Sequence, residues 1–323
     1  MPRIQYGSRI HEVHIGNTTP HGTRAYGIIL GGVSNLPLFD GRERTPARPH
    51  IAMQIHTSPD DIPASVSEAL GDLLDNPIKW ARFCARECGA EAVQLKFNLP
   101  TRTLSDRNLD EFRELARQLA REVDIPLLFS GSDLVETDPQ ILEAVAFATK
   151  GERVLLASAR LGNDYSRIAK AAIDNQHVVL ASTDCDPPSQ KMLNERLLEI
   201  GLPPDQIVID PTTAALGYGL EYSLSIAEQI RLNALKGDRS LQMPIVAFPA
   251  NSWTAREATI EDSGYGNLYS RGLIWELTTA LTMTLAGAEL LIMLHPDSVK
   301  RFKTFMKEQG FTEPSVTKKN SQD

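Results

Sequence analysis

The sequence predicts a (β/α)8 barrel, and three observations lead to this fold class. Short apolar runs rich in β-branched residues recur eight times between residues 50 and 296, each ends on small polar residues, and helical patterns lie between them. The runs are apolar at nearly every position, which is typical of parallel strands buried on both faces. The eight predicted strands are HIAMQIH (50–56), AVQLKFN (92–98), IPLLFSGS (125–132), RVLLASA (153–159), HVVLAST (177–183), IVIDPTT (207–213), IVAFPAN (245–251) and ELLIMLHP (289–296).

The segments between the strands carry helix start signals. Asn108 and Glu111 have the spacing of an N-cap and its capping-box partner, and an apolar stripe through Phe112 and Leu119 follows them. Pro77 follows the capping residue Asn76, at a position where the first helical turn accepts proline. The predicted barrel covers residues 49–310, close to the usual size of about 250 residues.

Two segments lie outside the predicted barrel. Residues 1–48 contain the strand-like pieces RIQYGSRIHEVHIG and TRAYGIILGG, separated by the turn-rich NTTPHG. They predict a β-rich N-terminal extension that packs either on the barrel or on a partner. Residues 311–323, FTEPSVTKKNSQD, are polar and have no periodicity, so we expect a flexible tail there.

Composition and charge exclude several classes of protein. Hydrophobic residues make up 42% of the chain and charged residues 23%, with no apolar run of transmembrane length and no signal pattern, which predicts a soluble cytoplasmic protein. A net charge of −8 without a basic block argues against nucleic acid as a partner. Of the three cysteines, Cys84 and Cys88 are expected to face the core, and no iron–sulfur cluster is expected in this chain.

The functional surface of such a barrel is built at the C-terminal ends of its strands. Ionisable groups are sparse there, and the aspartates Asp133, Asp184, Asp186 and Asp210 are equally well explained as helix caps or turn residues. A rim of hydroxyls and amides suits a broad ligand with amide or carbonyl edges better than proton transfer. We therefore predict no catalytic residue. The small polar residues at the strand ends include Ser130, Ser158, Thr183, Thr212, Thr213, Asn251 and Ser252.

Motifs for other chemistries are incomplete. The HEVH at residues 11–14 lacks the spacing of a zinc-binding helix, and no metal site is predicted. The GYG at 217–219 and 264–266 lacks the third glycine of a dinucleotide loop. Lys96 lies inside the second strand and is predicted to point into the barrel, where it needs an acidic partner.

Four segments together carry a resemblance to a known family. They are VHIG (13–16), TRAYGIILGG (23–32), IVIDPTTAALGYGLEYS (207–223) and IVAFPANSW (245–253). They resemble the small (delta) subunit of the corrinoid/iron–sulfur protein of the acetyl-CoA (Wood–Ljungdahl) pathway, the acetyl-CoA decarbonylase/synthase delta subunit family. The resemblance covers nearly the full length. It implies a barrel that pairs with a larger subunit holding a [4Fe–4S] cluster and a corrinoid.

The resemblance implies a non-catalytic subunit of a methyl carrier. The barrel mouth would cover one face of the corrinoid, which receives a methyl group from methyltetrahydrofolate through a methyltransferase and delivers it to acetyl-CoA synthase. Because the chain has no Asp-x-His-x-x-Gly motif for a cobalt ligand, the corrinoid would be shared with the large subunit. The candidate corrinoid neighbours are Asp210, Thr212, Thr213, Pro249, Asn251 and Ser252, with Ser130, Ser158 and Thr183 at other strand ends.

Two alternatives stay open from the sequence. The first is a pterin-dependent methyltransferase of the same barrel type, in which side chains such as Asn98 and Asp210 would bind the edge of a pterin. The second is a purely structural subunit that serves only as a docking surface for partner subunits. Binding of tetrahydrofolate by the isolated chain would favour the methyltransferase. A barrel mouth that makes no contact with a corrinoid would favour the scaffold.

Overall fold

Eight parallel strands close into a barrel in a computed structural model that describes residues 6–19, 22–36, 47–99 and 101–318. Each predicted strand is present, which confirms the predicted fold class. The strands are β3 (His50–His56), β4 (Ala92–Lys96), β5 (Leu127–Ser130), β6 (Leu155–Ala159), β7 (Val178–Ser182), β8 (Ile207–Asp210), β9 (Ile245–Ala247) and β10 (Ala288–Met293). They neighbour one another in chain order, and β10 pairs with β3 to close the barrel.

Helices cover the outside of the barrel. They are α1 (Ala64–Leu70), α2 (Pro77–Arg86), α3 (Asp106–Glu122), α4 (Asp138–Ala148), α5 (Tyr165–Asn175), α6 (Pro187–Ile200), α7 (Leu220–Leu235), α8 (Arg256–Thr259), α9 (Leu268–Leu285) and α10 (Pro296–Glu308). The predicted cap of α3 is wrong by three residues. Ser105 is the N-cap, and Asn108 is its capping-box partner instead of the cap itself. The Asn76 side chain caps α2 as predicted, accepting from the backbone N–H groups of Ile78 and Lys79.

The apolar core has two layers, because successive residues of a strand point to opposite faces of the barrel wall. The larger layer lies between the strands and the helices, and it includes Ile51, Val93 and Trp80. Cys84 and Cys88 are buried in this layer, as predicted. The smaller layer fills the barrel interior and includes Ala52, Ala92, Leu128, Leu180, Val208 and Ile292.

The N-terminal extension packs on the barrel, which decides between the two sequence-based alternatives. Strands β1 (Val13–Ile15) and β2 (Tyr26–Leu30) form an antiparallel hairpin. Its side chains Val13, Ile15, Ile28 and Leu30 belong to the interior apolar layer. The hairpin also meets the segments that lead into the barrel strands, for example where Gly16 N–H donates to the Arg153 carbonyl at 2.8 Å. The hairpin therefore closes the N-terminal end of the barrel.

The C-terminal segment differs from the flexible tail that the sequence predicts. Val316–Lys318 form a strand, β11, which pairs antiparallel with β2 and extends the hairpin to a three-stranded sheet. Just before this strand, the Glu313 carboxylate forms an ion pair with Arg48, and the Thr312 carbonyl accepts from Arg48 N–H at 3.0 Å. The remainder of the predicted tail, 319–323, lies outside the described residues, as do 1–5, 20–21 and 37–46 of the extension.

None of the helices in the described part of the chain is long and apolar enough to span a membrane.

Candidate functional site

The interior of the barrel changes from apolar to polar towards the C-terminal ends of the strands. The alternation that points Ala52, Ala92, Leu128, Leu180 and Val208 into the barrel places a polar residue two positions later in each of these strands. These five residues, here called the inner polar layer, are Gln54, Gln94, Ser130, Ser182 and Asp210. They lie between the apolar interior and the mouth of the barrel, where ligands of this fold bind.

Hydrogen bonds connect neighbouring members of the inner polar layer. The Gln94 amide N–H donates to Ser130 Oγ at 2.7 Å, and Ser182 Oγ donates to Asp210 Oδ2 at 3.3 Å. Gln94 is fully buried, and its amide oxygen has no hydrogen-bond partner. Because a buried polar atom without a partner is destabilising, this oxygen marks a position where a ligand donor would be favourable.

Asp210 is the acidic member of this layer. Its Oδ1 accepts from Thr212 N–H at 2.9 Å, and Thr212 adopts a left-handed conformation with φ of +75°. Burial raises the pKa of Asp210 to about 7, although the bond from Thr212 N–H and the charge of Arg160 oppose the shift. The carboxyl therefore holds its proton to a higher pH than an exposed aspartate does, and its hydrogen-bond partners are a hydroxyl and a backbone N–H group.

Four of the nine predicted site residues are accessible at the mouth. Ser130, Ser158 and Thr212 are half-buried, and Asn251 is exposed. Ser158 Oγ accepts from Arg160 Nε at 3.1 Å, so an exposed guanidinium lies beside this hydroxyl. The accessible groups among these candidates are hydroxyls and an amide, and the amide of Asn251 donates to the Thr213 carbonyl at 3.1 Å.

The other five predicted site residues are buried, and several are engaged within the protein. Thr183 Oγ1 donates to Gln190 Oε1 at 2.9 Å, and Thr213 Oγ1 accepts from Phe248 N–H at 2.9 Å. Pro249 and Ser252 lie in the buried part of a 3-10 turn, Pro249–Thr254. The side chains of these four residues and of Asp210 are buried, so all five lie beneath the surface of the mouth.

The predicted partner of Lys96 is present. Lys96 Nζ lies 2.6 Å from Asp133 Oδ2, which confirms a structural ion pair at the second strand. Asp186 caps α6 by accepting from Ser189 N–H at 2.9 Å, as its alternative explanation predicts. Both aspartates thus have local structural partners.

Two histidines lie at strand ends near the mouth, and both are buried. Burial lowers the pKa of His56 to about 4 and also lowers the pKa of His295. His295 Nδ1 accepts from Asp297 N–H at 3.0 Å, which fits the neutral imidazole. Both nitrogens of His56 and Nε2 of His295 are buried without a hydrogen-bond partner. No group of three or more His, Cys, Asp or Glu side chains within 6–19, 22–36, 47–99 and 101–318 has an arrangement that holds a metal ion.

The end of β10 is held by a buried carboxylate that was not predicted from the sequence. Glu276 of α9 accepts from Leu294 N–H at 2.5 Å and from His295 N–H at 3.2 Å. Burial raises the pKa of Glu276, while these N–H donors favour its ionised form. Glu276 therefore fixes the last strand end of the mouth in place.

Comparison with known proteins identifies the family. The model of the CO dehydrogenase/acetyl-CoA synthase delta subunit family matches residues 12–315. The chain belongs to this family. It is 40% identical to subunit delta of the acetyl-CoA decarbonylase/synthase complex of Archaeoglobus fulgidus over 314 residues. The aligned region covers 95% of this chain and 70% of that protein. The corresponding subunit of Methanocaldococcus jannaschii is 36% identical over 321 residues, 99% of this chain and 78% of that protein.

Solved structures with a similar fold are dihydropteroate synthases. The enzyme of Yersinia pestis in a sulfonamide complex has a TM-score of 0.55 and 14% identity, covering 81% of this chain and 94% of that one. The enzyme of Xanthomonas albilineans with 7,8-dihydropteroate has a TM-score of 0.55 and 14% identity, covering 84% of this chain and 98% of that one. At this identity the likeness shows only that this chain shares the barrel fold with these enzymes.

Gln54 and Gln94 are absent from the site residues predicted from the sequence, because those residues all lie at or after the ends of the apolar runs. Both glutamines lie inside their strands, in HIAMQIH and AVQLKFN. A polar residue within a strand that is otherwise apolar on both faces was the available signal.

Proposed function

We propose that the chain is the small subunit of a heterodimeric corrinoid/iron–sulfur methyl carrier, with the barrel mouth covering a corrinoid that it shares with a large subunit. The large subunit would carry the [4Fe–4S] cluster. A methyl group would arrive from methyltetrahydrofolate through a corrinoid methyltransferase and leave to acetyl-CoA synthase. The observation that carries the proposal is a mouth whose accessible predicted site residues are hydroxyls and an amide, in a chain of the delta-subunit family.

The residues at the mouth fit the edge of a corrin ring. A corrin is wide, apolar over its faces and fringed with amides, so it needs hydrogen-bonding groups around its edge and apolar groups over its face. Ser130, Ser158, Thr212 and Asn251 would bind the amide edge, and the half-buried Phe248 adds an apolar surface. When bound, the corrinoid supplies the cobalt chemistry of methyl transfer, so no acid or base from this chain is required.

Asp210 would act as a hydrogen-bonding group of this cover. It accepts from Ser182 and Thr212, and asparagine reproduces an acceptor oxygen at the same position. Asp210→Asn is therefore expected to keep single-turnover methyl transfer within roughly tenfold of wild type, whereas loss of a catalytic acid or base removes about 10² to 10⁴-fold. A thousand-fold loss at full corrinoid occupancy would contradict the proposal.

The direct test is co-expression with the large subunit, followed by a visible spectrum and a cobalt assay of the purified heterodimer. The double variant Ser130→Ala/Asn251→Ala removes two mouth hydrogen bonds and should weaken corrinoid retention about tenfold, at about 0.5 to 1.5 kcal/mol for each bond. The control Thr304→Ala removes an exposed hydroxyl from α10 on the outside of the barrel and should retain corrinoid as wild type does. Equal retention in all three proteins would favour the structural scaffold.

A second candidate function is a pterin-dependent methyltransferase, and the inner polar layer favours it. The unpaired Gln94 amide oxygen and the Asp210 carboxyl offer two acceptors below the mouth, which suits the N–H groups at the edge of a pterin. Titration of the isolated chain with tetrahydrofolate in a calorimeter tests it. Binding that is lost in Gln94→Leu would support the methyltransferase, and no heat of binding at millimolar ligand would exclude it.

A further inference from the structure

A cavity lies beside the mouth, where the loop after β9 leads into α9. Its volume is about 320 Å³, close to the lower end of small-molecule sites at roughly 300 to 1,000 Å³. It is lined by Tyr265, Asn267, Ser270, Arg271, Ile274 and Trp275. None of these residues belongs to the inner polar layer or to the predicted corrinoid neighbours.

Arg271 is the unusual residue of this cavity. It is only 5% exposed, and Nη2 donates to the Ile260 carbonyl, while Nε and Nη1 have no hydrogen-bond partner. Within the described parts of the chain no carboxylate lies within 4.0 Å of its guanidinium. A buried guanidinium without a counter-charge lowers the free energy of unfolding, so the presence of Arg271 at this position calls for an explanation.

The other buried arginines of the described chain show what is missing. Arg24 lies 3.0 Å from Glu152, Arg48 lies 2.7 Å from Glu91, and Arg231 lies 3.1 Å from Glu289. Each of these guanidinium groups therefore has an internal carboxylate. Arg271 has no such carboxylate, and it lines the cavity.

The start of α9 adds a second preference for negative charge. This helix has 18 residues, and the side chain of its N-cap, Asn267, accepts from Ser270 N–H at 2.9 Å. The positive end of the helix dipole thus points at the cavity that Asn267 and Ser270 line. The N-terminus of α9 and the unpartnered guanidinium line the same cavity, and both favour a negatively charged group there.

Tyr265 covers the guanidinium from the solvent side. Its ring centre lies 5.6 Å from Arg271 Cζ, and Tyr265 is itself 63% exposed. It lies in a short 3-10 turn, Ser263–Tyr265, followed by Gly266 with φ of +76°. Nothing packs within 4 Å of the position of a Gly266 Cβ, so the turn has space in which to move.

We propose that this cavity binds a small oxyanion, a phosphate ester or a carboxylate, attached to a flat apolar group. The oxyanion accepts from Nε and Nη1 of Arg271 after the Tyr265 ring moves aside, and the apolar group packs on Trp275 and Ile274. The proposal does not depend on the corrinoid role, because it uses other residues. Phosphate and carboxylate share the same recognition chemistry here, and the test separates them.

The test measures binding of phenyl phosphate, benzoate and the neutral benzamide to the full chain by calorimetry at constant ionic strength. Phenyl phosphate or benzoate, or both, should bind, and benzamide should not. Arg271→Met should weaken anion binding at least tenfold. The matched control Arg256→Met removes an exposed arginine of the same loop region and should stay within twofold of wild type. Equal binding by benzamide, or equal anion binding in Arg271→Met, would overturn the proposal.

A second pair of variants keeps the test decisive if Arg271→Met does not fold. Ile274 is 54% exposed and lines the cavity, so it tolerates a polar side chain. Both variants lose the same apolar contact with the ligand, but only Ile274→Glu places a carboxylate next to the guanidinium, so it should bind the anions at least tenfold more weakly than Ile274→Gln. Identical affinities in the two variants would overturn the proposal.

Discussion

The buried arginines at the two ends of the barrel differ in their partners. At the N-terminal end the Arg24 guanidinium lies 3.0 Å from Glu152 and also donates to the Ile125 carbonyl at 2.8 Å. At the C-terminal end the Gln94 amide oxygen and two nitrogens of Arg271 are buried without partners. Because a buried guanidinium without a counter-charge is destabilising, Arg271 is expected to lower the free energy of unfolding, whereas Arg24 is paired.

The N-terminal end of the barrel contributes to the stability of the fold, whereas the C-terminal end presents groups for binding. The N-terminal end is closed by the β1–β2–β11 sheet, whose apolar side chains complete the interior core. The C-terminal end keeps polar groups available at the mouth and in the neighbouring cavity. Substitutions that break pairs at the first end should therefore lower the free energy of unfolding, whereas removal of an uncompensated buried group at the second should raise it or change ligand binding.

The largest effect on stability is expected from breaking the ion pair at the closed end. Glu152→Gln leaves the Arg24 guanidinium buried without its counter-charge, which is expected to cost about 3 to 5 kcal/mol of unfolding free energy. The control Glu122→Gln breaks the exposed pair with Arg82 and should cost no more than about 1 kcal/mol. Urea unfolding followed by circular dichroism measures both, and equal losses would contradict the assignment of stability to this end.

The second prediction concerns pH and the mouth. The folded state keeps the Asp210 proton up to about pH 7, whereas an aspartate in the unfolded chain releases its proton near the ordinary pKa of 3.8. Between these values the folded state binds more protons, so the contribution of Asp210 to the unfolding free energy falls as pH rises, by up to about 4 kcal/mol. Asp210→Asn should therefore gain stability over wild type at pH 8 and gain nothing at pH 4.

The matched control for Asp210 is Asp174→Asn, which neutralises an exposed aspartate of α5 that does not contribute to the pKa shift of Asp210. It should follow the wild-type pH dependence. Unfolding at several pH values between 4 and 8 gives the difference between the proteins. Parallel curves for wild type and Asp210→Asn would show that this carboxyl does not titrate near neutrality.

The third prediction compares two glycines with nearly the same positive φ. Gly31 has φ of +83° at the closed end, and a Cβ there would lie 1.9 Å from the His11 carbonyl oxygen. Gly217 has φ of +81° in the loop after β8, where a Cβ meets nothing within 4 Å. Alanine at either position carries the strain of positive φ, about 1 to 2 kcal/mol. Gly31→Ala should cost about 1 to 3 kcal/mol more than Gly217→Ala, because it also forces backbone apart.

Chemical denaturation of the two glycine variants gives this excess directly. A similar loss in both would mean that the hairpin adjusts to the added methyl group, and that the closed end is not tightly packed.

The smallest effect on stability is expected from removing the last strand, β11. Truncation after Phe311 deletes β11 and the ion pair between Arg48 and Glu313. Val316 and Lys318 are exposed, and each backbone hydrogen bond contributes only about 0.5 to 1.5 kcal/mol before the entropy of ordering the chain is subtracted. A loss of about 1 to 2 kcal/mol is expected in a thermal or urea melt. No change at all would support the flexible tail that the sequence predicts.

Much of the barrel followed from local sequence. Parallel strands with helical crossovers are buried on both faces, so HIAMQIH and ELLIMLHP carry the apolar signature of a strand without any knowledge of their neighbours. The polar residues at strand ends were found because their place in the fold depends only on where each strand stops. The resemblance carried by four segments was enough to name the family.

The direction in which each side chain points could not be predicted from the local sequence. Ser130 and Thr183 both follow apolar runs, yet one reaches the mouth and the other donates to Gln190 inside the wall. Likewise, Gln94 faces the interior because the pairing of β4 with its neighbours sets which residues alternate inward. A shift of one residue in register would reverse these directions.

The sequence by itself determined the strand and helix pattern, the barrel class and the polar character of the strand ends, because these depend on periodicity and on residues close in the chain. The tertiary structure decided that β11 pairs with β2, that the hairpin closes one end, and that Arg271 lacks a carboxylate while Arg24 has one. These outcomes depend on groups far apart in the chain, such as Arg24 and Glu152, whose distance is set only when the barrel closes.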